Sequence, residues 1–453
     1  MFVDKRQIVG VFLETVIVFI FSLCISDNST YTTMATISII QLIVGLLCII
    51  AIKGIGIISI PCIFSFLTWI FHCGQIVLKG YGLKGDIPLD ITRYASYSNQ
   101  VQAFRFYLFS QAAIIIGALL FKSEHNKDER RSKSIDGYYA GKALIIVGII
   151  PRMYSDILRI VNGLNQGYKG VYSLYIPQFV STLASFFDIG LVTILLIEKD
   201  ARKKKTLFWT VLIYKAIVMM TGARKENVGF LILWIFIYFF SNDKIRVKEI
   251  LTGGFILVLG AVLVDAIGTT RSISSLSFHN IFQSIISNEN SIVGDSLGEF
   301  GSAFCSLEVP FEQITDPSMY GYGKSYIAGF LSIIPLFVSQ FPGLSSETTY
   351  VSRFSHTTFL GGSFIGEAYY NFVWLGLIVC FLTGYLAAYC HKYLLKVDNN
   401  NAIEIRRIMS ITITISLLMF VRGYFTDMVQ RIVWVFIFLQ ILQKSRGGFN
   451  ESR

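Results

Sequence analysis

The sequence predicts an all-α polytopic membrane protein with about twelve transmembrane helices. Its mean hydropathy is +0.60, and of its 453 residues 53% are hydrophobic and only 15% are charged. Apolar runs of about 20 residues recur along the chain and end at charged or turn-forming clusters, as membrane spans do. This composition excludes an ordinary soluble domain.

The first apolar run, 8–25, follows MFVDKRQ directly. It has no small-residue cleavage site, so we predict a retained span rather than a removed signal peptide. The predicted spans are 8–25, 33–52, 56–78, 101–121, 141–162, 176–197, 206–221, 227–241, 249–268, 364–390, 406–421 and 432–444. We expect an N-terminal transmembrane bundle (1–268), an extracytoplasmic loop subdomain (269–363) and C-terminal transmembrane helices (364–453).

The basic residues predict the orientation of the chain. It carries 39 Lys and Arg residues and a formal net charge of +10. Most of these residues lie on alternate loops, including 122–142, 199–205 and 392–407. Cytoplasmic loops are enriched in Lys and Arg, so these loops and both termini are predicted to be cytoplasmic. Topology therefore explains the positive charge, and we predict no nucleic-acid partner.

The longest predicted outer loop, 269–363, carries short elements of its own. It contains YGYGKSY (Tyr320 to Tyr326), followed by an apolar run at 327–338 that Pro335 interrupts. The run is short for a span, and a further crossing would reverse the charge pattern downstream. We therefore predict a re-entrant or interfacial segment.

Polar chemistry is concentrated in one stretch, RFSHTTFLGGSFIGEAYYNF, at 353–372. Ionisable side chains are costly near a bilayer and persist mainly where they face a cavity or a functional site. This stretch is therefore the first candidate site. Its candidate residues are Arg353, His356, Glu367, Tyr370 and Asn371.

A charged stripe marks the fifth predicted span. Arg152, Asp156 and Arg159 are spaced so that they share one helical face. Three such groups must face a cavity or other helices rather than lipid. They form either an internal ion network or an anion site, and the sequence leaves both open.

A second cationic feature is the turn TGARKEN, at 221–227. Arg224 and Lys225 lie where the next helix starts, so its backbone N–H groups and positive dipole end would add to the two side chains. This arrangement predicts an anion-binding corner. The alternative is a plain loop with cations that extend toward the headgroups.

Further polar residues are predicted to face outward. Arginine recognises phosphate oxygens bidentately, and tyrosine suits the faces and edges of sugar rings. Each of these residues alone could be ordinary surface polarity. The set consists of Arg271, Glu299, Tyr322, Lys324 and Arg422.

Several familiar motifs are missing from the sequence. There is no P-loop, Rossmann fingerprint, HExxH or G-x-S-x-G motif. There is also no D-x-D, the usual sign of a metal-held nucleotide sugar, and the seven cysteines show no metal-ligand spacing or disulfide framework. We predict no cofactor and no metal, and expect any glycosyl donor to be lipid-linked.

Three segments carry a family resemblance: the TGARKE corner, the outer loop with YGYGKSY, and GGSFIGEAYYNF. Together they resemble the O-antigen and capsular repeat-unit polymerases of the Wzy type, over most of 200–390 in layout. In this resemblance Arg224 matches the family's outer-face arginine after glycine. Glu367 and Asn371 match its E-x-x-x-N-like segment.

The resemblance implies a GT-C-like membrane glycosyltransferase in the bacterial cytoplasmic (inner) membrane. Such an enzyme transfers a growing glycan from undecaprenyl pyrophosphate to a new lipid-linked repeat unit on the outer face of the bilayer. Its expected partners are the lipid-linked donor and acceptor, with a flippase and a chain-length regulator of the same pathway.

The expected mechanism assigns the arginines to the leaving pyrophosphate. Arg224 would stabilise its charge, with Arg353 and Arg422 assisting and Arg152 or Arg159 as deeper candidates.

The acceptor hydroxyl needs a base, for which Glu367 is the first candidate and His356 the second. The alternative for Glu367 is a helix-start carboxylate that accepts backbone N–H groups.

Other functions fit parts of the sequence. A glycan ligase would differ only in its acceptor. A lipid-linked oligosaccharide flippase or other transporter would also need cations in a cavity, but should show two related halves with midplane sites. A non-catalytic scaffold would explain the spans but not the arginines.

Overall fold

The computed structural model has an all-α membrane architecture. It describes residues 5–87, 89–121, 134–172, 174, 176–219, 224–240, 292–334, 337, 340–354, 360–395 and 402–450. Within these residues, seven helices are long and apolar enough to cross a membrane. The predicted all-α polytopic class is therefore confirmed, whereas the number of about twelve spans stays a prediction.

The helices follow the apolar runs of the sequence. The first group is α1 (Lys5–Cys24), α2 (Tyr31–Lys53), α3 (Ile60–Gly80), α4 (Tyr97–Leu120), α5 (Gly137–Tyr172), α6 (Gln178–Ile197), α7 (Ala201–Met219) and α8 (Arg224–Phe240). The second group is α9 (Ile292–Phe300), α10 (Ala303–Gln313), α11 (Lys324–Leu331), α12 (Pro342–Ser345), α13 (Phe364–Phe372), α14 (Leu377–Leu394), α15 (Ile405–Phe420) and α16 (Phe425–Asn450). Each predicted span overlaps at least one of these helices, except 249–268, which lies outside the described residues.

The chain divides into two compact units. Unit 1 comprises Met1–His125, Val293–Lys392 and Leu417–Gln430. Unit 2 comprises Asn126–Ile292, Tyr393–Ser416 and Arg431–Arg453. The division predicted from the sequence into a bundle, an outer loop subdomain and C-terminal helices stays a prediction.

Unit 1 packs its first four helices against the helices that follow the long loop. Helices α4 and α14 cross so closely that a Cβ on Gly117 would lie 2.0 Å from the carbonyl oxygen of Phe381. A Cβ on Gly384 would lie 1.9 Å from the carbonyl oxygen of Ile114. Small residues at such a crossing let two membrane helices meet backbone to backbone, and no larger side chain would fit here.

Unit 2 is built on the packing of α5 against α6. The two helices run antiparallel, since Gly141 lies against Ile194 and Gly148 against Phe187. A short ladder closes it, in which β1 (Ser134–Asp136) pairs antiparallel with β2 (Ala402–Glu404). Ile135 lies opposite Ile403 in this register, and both side chains are buried. The ladder ties the start of α5 to the start of α15.

The predicted re-entrant segment begins in a helix. Helix α11 covers the end of YGYGKSY and the first part of the apolar run 327–338, and it starts after Gly323, whose φ of 84° is left-handed. Pro335 lies outside the described residues. The re-entrant placement of the run stays a prediction.

Candidate functional site

The candidate site in unit 1 is centred on Glu367, in the first turn of α13. Its side chain is 0% exposed. Ser325 Oγ donates to Glu367 Oε1 at 2.6 Å, and the backbone N–H of Phe425 donates to Oε2 at 2.9 Å. The carboxylate therefore joins α11, α13 and α16, and both of its oxygens accept bonds from the protein.

Asn371, one turn further along α13, completes this junction. Its Nδ2 donates to Ser325 Oγ and to the carbonyl oxygen of Glu367, each at 2.8 Å. The N–H of Gly321 donates to the carbonyl oxygen of Tyr370 at 2.9 Å. The two motifs that the sequence singled out, YGYGKSY and GEAYYNF, thus dock on each other.

Helix α13 begins at a defined cap. Ser363 Oγ accepts the N–H of Gly366 at 3.1 Å, as an N-cap serine does. A Cβ on Gly366 would lie 2.3 Å from Tyr350 Oη and 2.9 Å from the carbonyl oxygen of Ser306. The small residue therefore lets α10 and the 3₁₀ turn Tyr350–Arg353 approach the start of α13.

Arg353 is oriented by a buried partner that the sequence analysis did not select. Its Nη1 pairs with Glu347 Oε1 at 2.8 Å and donates to Tyr370 Oη. Tyr370 Oη in turn donates to Glu347 Oε2 at 2.7 Å. The Glu347 carboxylate is buried, whereas 34% of the Arg353 side chain is exposed. One edge of the guanidinium is thus held and the rest is open.

Tyr350 connects the Arg353–Glu347–Tyr370 group to Tyr424 and to helix α10. It is fully buried, its ring stacks on that of Tyr370 with centroids 5.5 Å apart, and it meets the edge of Tyr424 at 6.0 Å. Its hydroxyl donates to the carbonyl oxygen of Ser306 at 2.7 Å. Burial, with the nearby Tyr424 and Glu367, raises the pKa of Tyr350 well above its usual range, so the hydroxyl stays a donor.

Arg422 lies in the turn between α15 and α16 and is half-buried. A Cβ on Gly361 would lie 3.2 Å from Arg422 Nε, so the guanidinium packs directly over this glycine. Among the described residues it has no hydrogen-bonded or ion-paired partner. Its donors are therefore available to a ligand.

Unit 2 holds a separate buried ion network. Arg152 Nε donates to Asp156 Oδ2 at 2.8 Å, its Nη1 to Asp188 Oδ2 at 3.3 Å, and its Nη2 to Asn227 Oδ1 at 2.8 Å. Lys215 Nζ pairs with Asp188 Oδ1 at 2.6 Å. Among the residues that the structure describes, this network pairs two cations with two carboxylates, and such pairing is how buried charges are normally accommodated. Arg152 thus has the contacts of the internal ion network that the sequence left open.

A family model for the O-antigen polysaccharide polymerase Wzy matches residues 8–447. The chain belongs to this family. Wzy proteins are O-antigen repeat-unit polymerases, so the resemblance found from the sequence motifs is confirmed. No curated protein and no solved structure matches the chain.

The structure brings together only part of the residue set expected for a Wzy polymerase. Glu367, Tyr370, Asn371 and Arg353 form one connected group in unit 1. Other predicted residues of this unit lie nearer the surface: Glu299 is half-buried on α9, Lys324 is exposed at the start of α11, and Tyr322 is 61% exposed and donates to the carbonyl oxygen of Pro317.

The remaining predicted residues of the Wzy site lie in unit 2 or outside the part of the chain that the structure describes. Arg159 is half-buried on α5. Helix α8 begins at Arg224, but the side chains of Arg224 and Lys225 lie outside what the structure describes. Arg271 and His356 lie outside the described residues altogether.

Three residues of the Wzy chain were missed by the sequence analysis. Ser325 lies inside a motif that was quoted, and its role depends on a partner 42 positions away. Glu347 stands in a polar loop, where no pattern distinguishes it. Glu308 is a lone carboxyl in the apolar run AFCSLEVPF, and that isolation was a usable signal.

Proposed function

We propose that this chain joins oligosaccharide repeat units carried on undecaprenyl pyrophosphate, at the outer face of the bacterial cytoplasmic membrane. Its family supports the polymerase activity. The observation that carries the finer proposal is Arg422: a half-buried guanidinium without a partner among the described residues, in the same unit as the oriented Arg353.

The arginines would act on the leaving group. Cleavage of the sugar–pyrophosphate bond develops negative charge on the departing phosphate oxygens, and donors already aimed at that charge lower the barrier. Arg353 is oriented at Nη1 by Glu347 and Tyr370, so it presents its other N–H groups without further ordering. Arg422 supplies a second guanidinium, and a fork suits phosphate oxygens.

Glu367 acts as a positioning residue in this proposal. Its side chain is 0% exposed, and its two oxygens accept bonds from Ser325 and from the backbone of Phe425, so its contacts are those of a group that joins helices. Its carboxylate holds α13, and therefore the Tyr370 hydroxyl that orients Arg353. Its predicted role as the base is not adopted, and neither is a substrate-binding role for Arg152 or Arg159.

Arg224 and Lys225 are proposed to bind phosphate on the strength of their place at the start of α8. A helix N-terminus presents unpaired N–H groups and a positive dipole end. The exposed Tyr322 is proposed to contact sugar rings.

The setting of the reaction is also part of the proposal. We infer a GT-C-like fold, cytoplasmic termini, an extracytoplasmic site and chemistry without a metal or cofactor. The lipid-linked donor and acceptor enter from the bilayer, and a flippase and a chain-length regulator act beside the polymerase.

The test is polymerisation by the purified chain. Incubated with a lipid-pyrophosphate-linked repeat unit, without nucleotide or added metal, it should produce a ladder of longer glycans. Arg422→Ala should reduce chain extension by about 100-fold or more, as the loss of a preorganised donor does. Arg202→Ala, which removes an exposed arginine of α7, is the matched control and should leave the ladder unchanged.

Two results would contradict the proposal. Full activity of Arg422→Ala would remove this arginine from the site. A wild-type protein that moves the intact repeat unit across vesicles, or transfers it only to a different acceptor, would indicate a transporter or a ligase instead.

A further inference from the structure

Glu308 is a buried carboxyl without a visible partner. It lies on α10, its side chain is 0% exposed, and neither Oε1 nor Oε2 has a hydrogen-bond partner among the described residues. Burying a carboxyl in this way costs free energy that no hydrogen bond from a described residue offsets. Native proteins retain few such groups, and each needs a reason, such as a catalytic role or a ligand that supplies the bond.

The two carboxylates that act electrostatically on Glu308, Asp90 and Glu312, are by contrast hydrogen-bonded. Asp90 accepts from Lys79 Nζ at 3.0 Å and from the Thr92 N–H at 2.9 Å. Burial raises the pKa of Asp90, but these bonds outweigh it and the pKa is lowered. Glu312 accepts from Asn99 Nδ2 at 2.8 Å, and this bond and those from Ser96 lower its pKa. Both groups therefore stay ionised.

The pKa of Glu308 is shifted in the opposite direction. Burial first, and then the negative charges of Asp90 and Glu312, raise the pKa of Glu308 well above its usual range. The other titratable groups that face it are Tyr31 on α2, Tyr94, and Cys305 on its own helix. A proton acceptor works best when its pKa is close to the operating pH, and this environment moves a glutamate in that direction.

Glu308 also lies close to the residues already assigned to the site. Ser306 Oγ, on the same helix, donates to the carbonyl oxygen of Gly361 at 2.6 Å. Arg422 packs over that glycine, and both Arg422 and Glu308 act electrostatically on the Cys305 thiol. A guanidinium and a carboxyl that both lack partners among the described residues thus occupy one region of unit 1.

We propose that Glu308 is the base that accepts the proton of the acceptor hydroxyl, an inference that rests on the proposed polymerase function. The hydroxyl proton moves to a carboxylate oxygen of Glu308 as the acceptor oxygen bonds to the anomeric carbon of the donor glycan. The bond from that carbon to the pyrophosphate breaks, and its electron pair leaves with the pyrophosphate, whose charge Arg422 offsets.

The test is the pH dependence of polymerisation by the full chain in vesicles, with a lipid-pyrophosphate-linked repeat unit. A base must be unprotonated, so activity should fall as the pH drops below the raised pKa of Glu308, at a higher pH than an ordinary carboxyl would give. Glu308→Gln should lower kcat by about 100-fold or more. Glu308→Asp should restore part of the activity and keep the fall in activity at low pH, which is the acid limb of the pH–rate profile.

Asp90→Asn provides a test that does not depend on losing the base. It removes one of the negative charges that raise the pKa of Glu308, so the acid limb should shift to lower pH. Asp316→Asn, which changes an exposed carboxyl in the same unit, is the matched control and should leave the limb in place.

The outcomes separate this inference from the function on which it rests. A wild type that makes a ladder, with Glu308→Gln near normal or the limb unmoved in Asp90→Asn, overturns the role of Glu308 and leaves the polymerase in place. A wild type that makes no ladder overturns both. If Glu308→Gln does not fold, the shift in Asp90→Asn decides.

Discussion

In the proposed function, the Glu367 carboxylate holds the site together and does not take part in the chemistry. It accepts one side-chain and one backbone donor, from segments 42 and 58 positions away along the chain. Glu367→Gln keeps the shape but replaces one accepting oxygen with an NH₂ group, so one buried donor loses its partner. We expect a loss of about 1–3 kcal/mol in the free energy of unfolding.

Thermal unfolding in detergent or nanodiscs measures this loss. Asp316→Asn is the matched control, because the exposed amide oxygen can still accept the Ser318 N–H, and we expect a change within about 0.5 kcal/mol. Activity of Glu367→Gln should fall along with its stability. A fully stable Glu367→Gln protein that has lost all turnover would instead return the role of the base to Glu367.

At the scale of elements, the docking of YGYGKSY on α13 depends on the absence of a side chain at Gly321. A Cβ there would lie 2.5 Å from Tyr370 Cε1 and 2.7 Å from Asn371 Oδ1. Gly321→Ala should therefore displace α11 from α13, break the Ser325–Glu367 bond, and lower both Tm and polymerisation.

Comparing Gly323→Ala with Gly321→Ala distinguishes backbone strain from steric clash. The φ of Gly323 is 84°, and a Cβ there would meet the Phe372 ring at an ordinary 3.5 Å, with no closer contact among the described residues. Gly323→Ala should cost about 1–2 kcal/mol of left-handed strain and leave the docking intact. A larger effect at position 323 than at 321, measured by Tm and ladder length, would contradict the proposed docking.

The same elements show how far the sequence could lead. Hydropathy located the long apolar helices of the described residues, because each such run must be buried or face lipid along its whole length. It also flagged 353–372, since a polar stretch among apolar ones is conspicuous. Glu347 and the Phe425 N–H could not be foreseen: one is an ordinary loop carboxyl, and the other is a backbone donor that any residue would supply. Pairing across such distances is decided by tertiary packing.

The ion network of unit 2 shows the same limit of prediction from sequence. The spacing of Arg152, Asp156 and Arg159 predicted a shared helical face, but it could not distinguish a ligand site from an internal network. The deciding partners, Asp188 and Lys215, stand on two other helices. The buried charges paired here among the described residues hold helices together, and each needs its partners to remain buried.

At the scale of the whole molecule, the proposed chemistry requires that 353–372 and the YGYGKSY segment face the extracytoplasmic side of the membrane. This orientation follows from the basic residues, whose distribution predicts that 199–205 is cytoplasmic. Of the seven cysteines, only Cys24 is exposed. Cys24→Ser therefore removes the native thiol that a maleimide would reach, so that labelling reports on an introduced cysteine. Tyr322→Cys and Lys203→Cys then introduce exposed reporters on the two predicted sides.

A membrane-impermeant maleimide should modify the Tyr322→Cys protein in intact spheroplasts. It should modify the Lys203→Cys protein only after the membrane is opened, because the bilayer separates the reagent from that loop. Inverted vesicles should reverse the pattern. If position 322 were labelled only from the cytoplasmic side, Arg353 and its neighbours on unit 1 would face a compartment that supplies nucleotide sugars. The requirement for a lipid-linked donor would then lose its physical reason.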